Sequence, residues 1–267
     1  MKKFIALLLA LTMLVAFAGC NNEPVDTKPV DTKPVETDPV ETEPVETEPA
    51  VKVMTNEEFD AAELDSEVIV ETYIQAVESW YNGNVQLYTQ AEDGGYYIYN
   101  LACSEEDAAK LVPGTKIRVT GYKAEWSGEV EIIDATYEIL DAEPKFFGAT
   151  DVTALLGTDE LIGHLNELVA MNGLTVTASK DANGNDVAFL YKWDGSGSRG
   201  SDLYFNVAAG EHEFTFTVNV YMVGTGVDSE VYQAVEALQI GDVINLEGFL
   251  YWYNGAQPHI TSVTHAE

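Results

Sequence analysis

The chain has 267 residues, is 46% hydrophobic and carries a formal net charge of −32, with 45 acidic and 13 basic residues. Its length suits one to three domains of roughly 100–200 residues each. Its charge argues against nonspecific DNA or RNA binding, because that affinity comes largely from Lys and Arg displacing counterions, so nucleic acid is not an expected partner. The acidity is not confined to one end: residues 1–19 carry +2 and residues 20–50 carry −7, which leaves −27 for residues 51–267.

Met1-Lys2-Lys3 ahead of the apolar run Phe4 to Phe17 has the charge and length of a signal peptide, and the run is too short for a spanning helix. It ends Ala16-Phe17-Ala18-Gly19-Cys20, which resembles the lipobox of bacterial lipoproteins, with Phe17 where Leu is usual. The resemblance implies removal of residues 1–19 and lipidation of Cys20. The mature chain would then be anchored through its lipid to the outer face of the bacterial cytoplasmic membrane or the cell surface. Prolines follow at 24, 29, 34, 39, 44 and 49, mixed with Val, Thr and acids. Such a segment cannot bury apolar surface, so residues 20–50 read as a disordered acidic stalk that reaches about 90 Å if fully extended.

Ordered structure is expected from Thr55, where Thr55-Asn56-Glu57-Glu58 has capping-box spacing and a short helix can run to Leu64. Val68 to Ser79, Val85 to Gln90 and Tyr96 to Leu101 read as strands, with Asn82-Gly83 as a hairpin signal and Asp93-Gly94-Gly95 as a turn. Ser104 opens a short helix that ends before Pro113; two more strands follow, the second over Val130 to Leu140. Pro144 marks a boundary between a first unit, 51–142, and a second, 145–267. Leu161, Ile162, Leu165, Leu168 and Val169, at spacings of three and four, predict an amphipathic helix over Asp159 to Met171. Leu174 to Ser179, Val187 to Trp193, Asp202 to Val207 and Phe214 to Val223 read as strands. Asp228-Ser229-Glu230 caps a helix to about Leu238, and Gln257 to Thr264 is the last strand.

Leu111 to Tyr122 and Leu238 to Phe249 share a pattern at a constant offset of 127 residues, pairing Gly114 with Gly241, Ile117 with Ile244, Val119 with Leu246 and Gly121 with Gly248. An ungapped register of this length marks a repeated unit. The helix placed before this glycine-flanked strand, and the five-strand order around it, resemble the OB-fold, a small Greek-key barrel. The resemblance covers roughly 65–140 and 170–265. It implies a mainly β chain of two five-to-six-stranded barrels, each with short helices, the second with a strand insertion between its first strand and its helix. It also implies oligonucleotide or oligosaccharide ligands on the strand 2–3 face and in the 1–2 and 4–5 loops, although fold alone does not assign function.

Aromatic residues gather at those places. With Ile98, Val85 and Leu87 inward, Tyr88, Tyr97 and Tyr99 share the outer face of the first barrel; Trp80 and Tyr81 fall in its 1–2 loop and Trp126 in its 4–5 loop. The second unit has Tyr251, Trp252 and Tyr253 at its 4–5 loop, with Trp193 and Tyr204 nearby. Rings on an acidic background suit sugar stacking with carboxylate hydrogen bonds, but aromatic cross-strand pairs also stabilise a sheet by themselves. Exposure of these rings separates the two readings.

Other motifs point to structure. Gly195-Ser196-Gly197-Ser198-Arg199-Gly200 matches a dinucleotide fingerprint literally, yet a strand follows where a helix is required, so it reads as a loop. Asp181 to Asp186 reads as a hairpin turn rather than a calcium loop. Lys110, Lys116, Arg118 and Lys123 read as partners of surrounding acids in preference to an anion-binding patch. Cys103 reads as a small apolar residue at a strand end. His259 and His265 have no metal-motif partner, and no metal site, cofactor or enzymatic activity is expected. The expectation is a surface-anchored, noncatalytic binding or scaffold lipoprotein that engages carbohydrate or an extracellular protein. The alternatives are a structural spacer and an extracellular nucleic-acid-binding OB module.

Overall fold

The computed structural model describes residues 52–266, so the expected signal peptide, Cys20 and the proline repeat lie outside the described residues. Helix α1 (Asn56–Ala61) begins at the expected capping box: Thr55 Oγ1 accepts from Glu58 N, and the Glu58 carboxylate accepts from Thr55 N. Two otherwise orphaned donors are satisfied at once. β1 (Glu67–Val77) turns Val68, Val70, Thr72 and Ile74 inward, the period-two pattern of a strand with one face on a core. Asn82 and Gly83 take φ of 50° and 89°, as a two-residue hairpin turn requires. β2 (Asn84–Gln90) returns antiparallel to β1, and β3 (Gly95–Ala102) antiparallel to β2. Helix α2 (Glu105–Ala108), capped by Ser104, leads to β4 (Lys116–Trp126) and β5 (Glu129–Ile139). The five strands close a barrel in the order β1-β2-β3-β5-β4, with β3 and β5 parallel.

The second barrel is built the same way from β6 (Thr150–Asp151), β7 (Leu168–Thr177), β8 (Ser179–Lys180), β9 (Asp186–Val187), β10 (Leu190–Tyr191), β11 (Leu203–Ala209), β12 (His212–Val218), helix α3 (Glu230–Glu236), β13 (Val243–Phe249) and β14 (His259–His265). Pairing of β11 with β7 closes the ring β7-β11-β12-β14-β13, and β12 and β14 form the parallel pair. The chain is therefore mainly β, with two OB-like Greek-key barrels. The described residues, 52–266, form one compact unit.

The repeated glycines do equivalent work in both copies. Gly114 and Gly241 have φ of 91° and 96°, and their N–H groups donate to Ile74 O of β1 and Val176 O of β7. Gly121 and Gly248 sit where strands 4 and 5 shift register. A Cβ at Gly121 would fall 2.8 Å from Ile133 O, and one at Gly248 would fall 2.5 Å from His259 O. Only glycine permits that approach.

Three predicted elements differ. The helix expected over Asp159 to Met171 is a 3-10 segment, Asp159–His164, followed by β7. Asn166, at φ 66°, breaks the helical path. Val169 and Met171 then point inward as alternating strand residues, paired with β13 on one side and, through Val169, with β6 on the other. Tertiary pairing overrides the leucine spacing. The strand expected over Val187 to Trp193 is two short pieces: β9 pairs with β8 across the Asp181 turn, and β10 pairs with β11 before Lys192 turns at φ 64°. The strand expected over Phe214 to Val223 ends at Val218.

Candidate functional site

Tyr88 on β2 and Tyr97 on β3 are cross-strand neighbours with ring centroids 4.8 Å apart. They share the outer face of the first barrel, as the alternation predicts. That face is not open, however. Phe249, at the end of β13, stacks on Tyr88 at 4.6 Å and 14°, and Ala76 and Met222 complete an apolar seam between the barrels. Tyr88 is 1% exposed and Tyr97 4%. The expectation that Tyr88 belongs to an open ligand face is corrected: the second barrel occupies the place of a ligand there. Tyr88 Oη lies 2.9 Å from His259 Nδ1, and the imidazole stacks on Tyr251 at 4.5 Å. Burial holds the His259 pKa down to about 4, so the ring is neutral at ordinary pH.

Beside this seam is a cleft of about 660 Å³. Tyr97 and Trp126 from the first barrel and Trp193, Tyr204, Tyr251 and Tyr253 from the second supply its aromatic walls. Trp126 and Tyr253 lie 5.2 Å apart, tilted at 36°. A polar chain crosses one side. Tyr97 Oη donates to Gln86 Oε1 at 2.6 Å, Gln86 Nε2 donates to Glu78 Oε2 at 2.7 Å, and Asn219 Nδ2 donates to Glu78 Oε1 at 2.8 Å. Burial lifts the Glu78 carboxyl to about 7, against the pull of the Asn219 bond. An adjoining cavity of about 160 Å³ shares Gln86, Tyr97, Trp126 and Tyr251 and adds Tyr99 and Glu131. Burial also raises the Glu131 pKa.

Behind the wall, Glu129 is fully buried and accepts from Trp252 N at 2.8 Å, which ties β5 to the 4–5 loop of the second barrel. Its pKa rises to about 8, chiefly through burial. Among the described residues, Glu129 Oε1 and Asn166 Oδ1 are both buried without a hydrogen-bond partner.

The structure thus brings Tyr97, Tyr99, Trp126, Tyr251 and Tyr253 together around one pair of cavities, along with Trp193 and Tyr204. It leaves out the others. Trp80 Nε1 donates to Cys103 O at 3.0 Å, and the ring borders a separate apolar hollow beside α2, with Tyr81 exposed next to it. The Trp252 ring closes over Gly128, where a Cβ would fall 2.6 Å from its Cδ1. The expectation that Trp80 and Tyr81 border the same face as Trp126 is corrected accordingly. Sequence reasoning missed Glu78, Gln86, Asn219 and His259; the available signal was an acid, Glu78, directly after the apolar-alternating strand that ends at Val77.

The basic residues do not form a channel. Lys116 and Arg118 both pair with Glu71, Arg118 also with Glu138, and Lys110 with Asp107. Lys123 is buried and donates to the carbonyls of Phe59, Asp60 and Ala62 at the end of α1, a helix-capping role that the sequence did not reveal.

No protein-family model and no curated protein matches the chain. Solved structures similar to it include a murine DNA-binding protein bound with double-stranded DNA, with a TM-score of 0.33 and 10% identity over 74% of this chain and 96% of that one. A p202 HIN1 structure in complex with 12-mer double-stranded DNA has a TM-score of 0.30 and 13% identity over 76% and 94%. A replication protein A heterotrimer bound to single-stranded DNA has a TM-score of 0.27 and 11% identity over 82% and 70%. These are likenesses of fold. Against the expectation that nucleic acid is not a partner, these three neighbours are DNA-bound structures.

Proposed function

We propose that this chain is a noncatalytic binding module whose ligand enters the cleft between the two barrels, and that the ligand is a saccharide. One observation carries the reading. Six aromatic residues from both barrels line a single cleft whose polar lining consists of a carboxyl, amides, a hydroxyl and a neutral imidazole, with no Lys or Arg among the described lining residues. Apolar ring faces with a few fixed donors and acceptors are what a sugar ring needs on its two kinds of surface. Titration of tryptophan fluorescence with cell-wall and host oligosaccharides tests it, with Trp126→Ala and Trp193→Ala as site variants. Saturable quenching that either variant weakens supports the reading; binding that both leave unchanged sinks it.

The second reading is nucleic-acid binding, for which the DNA-bound fold neighbours speak. Single- and double-stranded oligonucleotides in the same titration at low salt decide between the two. Affinity for them that falls steeply with salt and is insensitive to Trp193→Ala favours this reading.

We also propose that the module is displayed at the cell surface through a lipid on Cys20, with residues 20–50 as a spacer. Metabolic labelling with a fatty-acid analogue is expected to mark the chain, and Cys20→Ala to abolish the label and release the protein from the membrane fraction. Retention of both would refute the anchor.

A further inference from the structure

We infer that the saccharide of the cleft bears an amine, and that its ammonium group is held between the aromatic faces and the carboxyls of Glu78 and Glu131. The inference rests on the saccharide reading above and goes further by assigning the ligand a charge. Beside its rings and amides, the cleft and the cavity adjoining it place two mostly buried carboxyls, with Glu78 7% and Glu131 8% exposed. Glu78 accepts through both oxygens, Oε1 from Asn219 and Oε2 from Gln86, which holds the carboxyl in a fixed orientation, ready to pair with a cation once ionised.

Neither acid has a cation of its own. Among the described residues no basic side chain pairs with Glu78 or Glu131, whereas Lys116, Arg118, Lys192 and Arg199 are all engaged with other acids. Taking a carboxylate out of water without a countercharge is costly. A ligand ammonium offsets that cost, and the rings add to it. A cation over the face of Trp or Tyr within about 6 Å is attracted by the ring quadrupole, more strongly when desolvated. Tyr97, Trp126 and Tyr251 line both cavities, the one that Glu78 lines and the one that Glu131 lines. The strongly acidic chain, at −32, adds a long-range attraction for any cationic ligand. The lift of Glu78 to about 7 fits the same picture, as a carboxyl whose ionised state lacks its natural partner.

The test is a matched pair of ligands titrated calorimetrically into the full chain in mild detergent at low salt: a β-1,4-linked glucosamine tetramer and its N-acetylated counterpart. The amine form is expected to bind at least about tenfold more tightly, with the preference shrinking as salt screens the charges. Glu78→Gln should reduce the preference to within about threefold by removing the charge, with loss of one of the two hydrogen bonds that Glu78 accepts. Glu131→Gln is the second variant, since Glu131 takes no part in the Glu78 network and its loss should leave that network folded; it too should narrow the gap. Equal or tighter binding of the acetylated form overturns the amine inference and leaves the saccharide reading standing. A preference that survives both substitutions also overturns it. Failure of both tetramers to bind overturns the two readings together.

Discussion

The two barrels share a strand order but use the same face differently. In the first, the outer face of strands 2 and 3 carries Tyr88 and Tyr97 and is covered by Phe249, Tyr251 and His259 of the second. In the second barrel, the equivalent face carries Tyr204 on β11 and Thr215 on β12, both of which line the open cleft. One copy packs this face against its sibling, and the other keeps its face toward the cleft. What the repeat holds constant is the frame: the turn glycines, the close-approach glycines and the helix before strand 4. What it leaves variable is the surface around the cleft.

The comparison can be broken most severely at the seam. Tyr88→Ala removes a ring that is 1% exposed and packed against Phe249, and is expected to cost ~3–5 kcal/mol. If the seam makes the barrels one folding unit, chemical denaturation should also split from one transition into two. A loss below about 1 kcal/mol would show that the seam contributes little. Next come the close-approach glycines. Gly121→Ala and Gly248→Ala should each cost ~1–3 kcal/mol, with Gly248 the worse because its three nearest atoms are all backbone, whereas Gly121 meets the movable Ile132 side chain first.

A smaller effect is expected from pH. In the folded chain Glu78 keeps its proton up to about 7 and Glu129 up to about 8, against 4.5 for an ordinary Glu. The folded state therefore binds more protons in that window, and the stability they contribute, complete below about 4.5, is lost as pH rises through 7 and 8. His259 acts in the opposite sense: lowered to about 4 from 6.5, it contributes stability above 6.5 that is lost as pH falls toward 4. Between about pH 6.5 and 8 only the carboxyl limb remains, with a slope of up to about 1.4 kcal/mol per pH unit per group. Urea midpoints across that range should fall, and Glu129→Gln should flatten the fall; an unchanged slope would refute a protonated seam. The smallest contrast is at the helix caps. Ser104→Ala and Ser229→Ala each remove a cap worth ~0.5–2 kcal/mol. Ser229 should cost more, because α3 buries Val231, Tyr232 and Val235 whereas α2 buries nothing.

Most of the frame was legible because it is local. The Thr55 capping box, the Asn82-Gly83 hairpin and the inward Ile117 and Val119 each follow from spacing within a dozen residues, and the repeat of Gly114 and Gly121 at Gly241 and Gly248 fixes the barrel corners. β7 was misread because leucines at three and four spacing satisfy a helix as well as a 3-10 turn followed by a strand; only the pairing with β13 and β6 decides. The site was half legible for a related reason. Alternation correctly put Tyr88 and Tyr97 on one outer face, but nothing in either segment announces that Phe249, some 150 residues later, will lie on it. Glu78, Gln86 and Asn219 meet from three separate segments, a convergence that no spacing rule encodes. Lys123 illustrates the converse, a basic residue in an acidic chain that turns inward to carbonyls instead of pairing with a carboxylate.

The covered face of the first barrel has a kinetic meaning as well as a static one. A loop fixed to the same polypeptide meets its docking face at an effective concentration that short tethers put in the millimolar range. An outside molecule competing for Tyr88 would face a competitor that never diffuses away, whereas the cleft beside it is open to solvent.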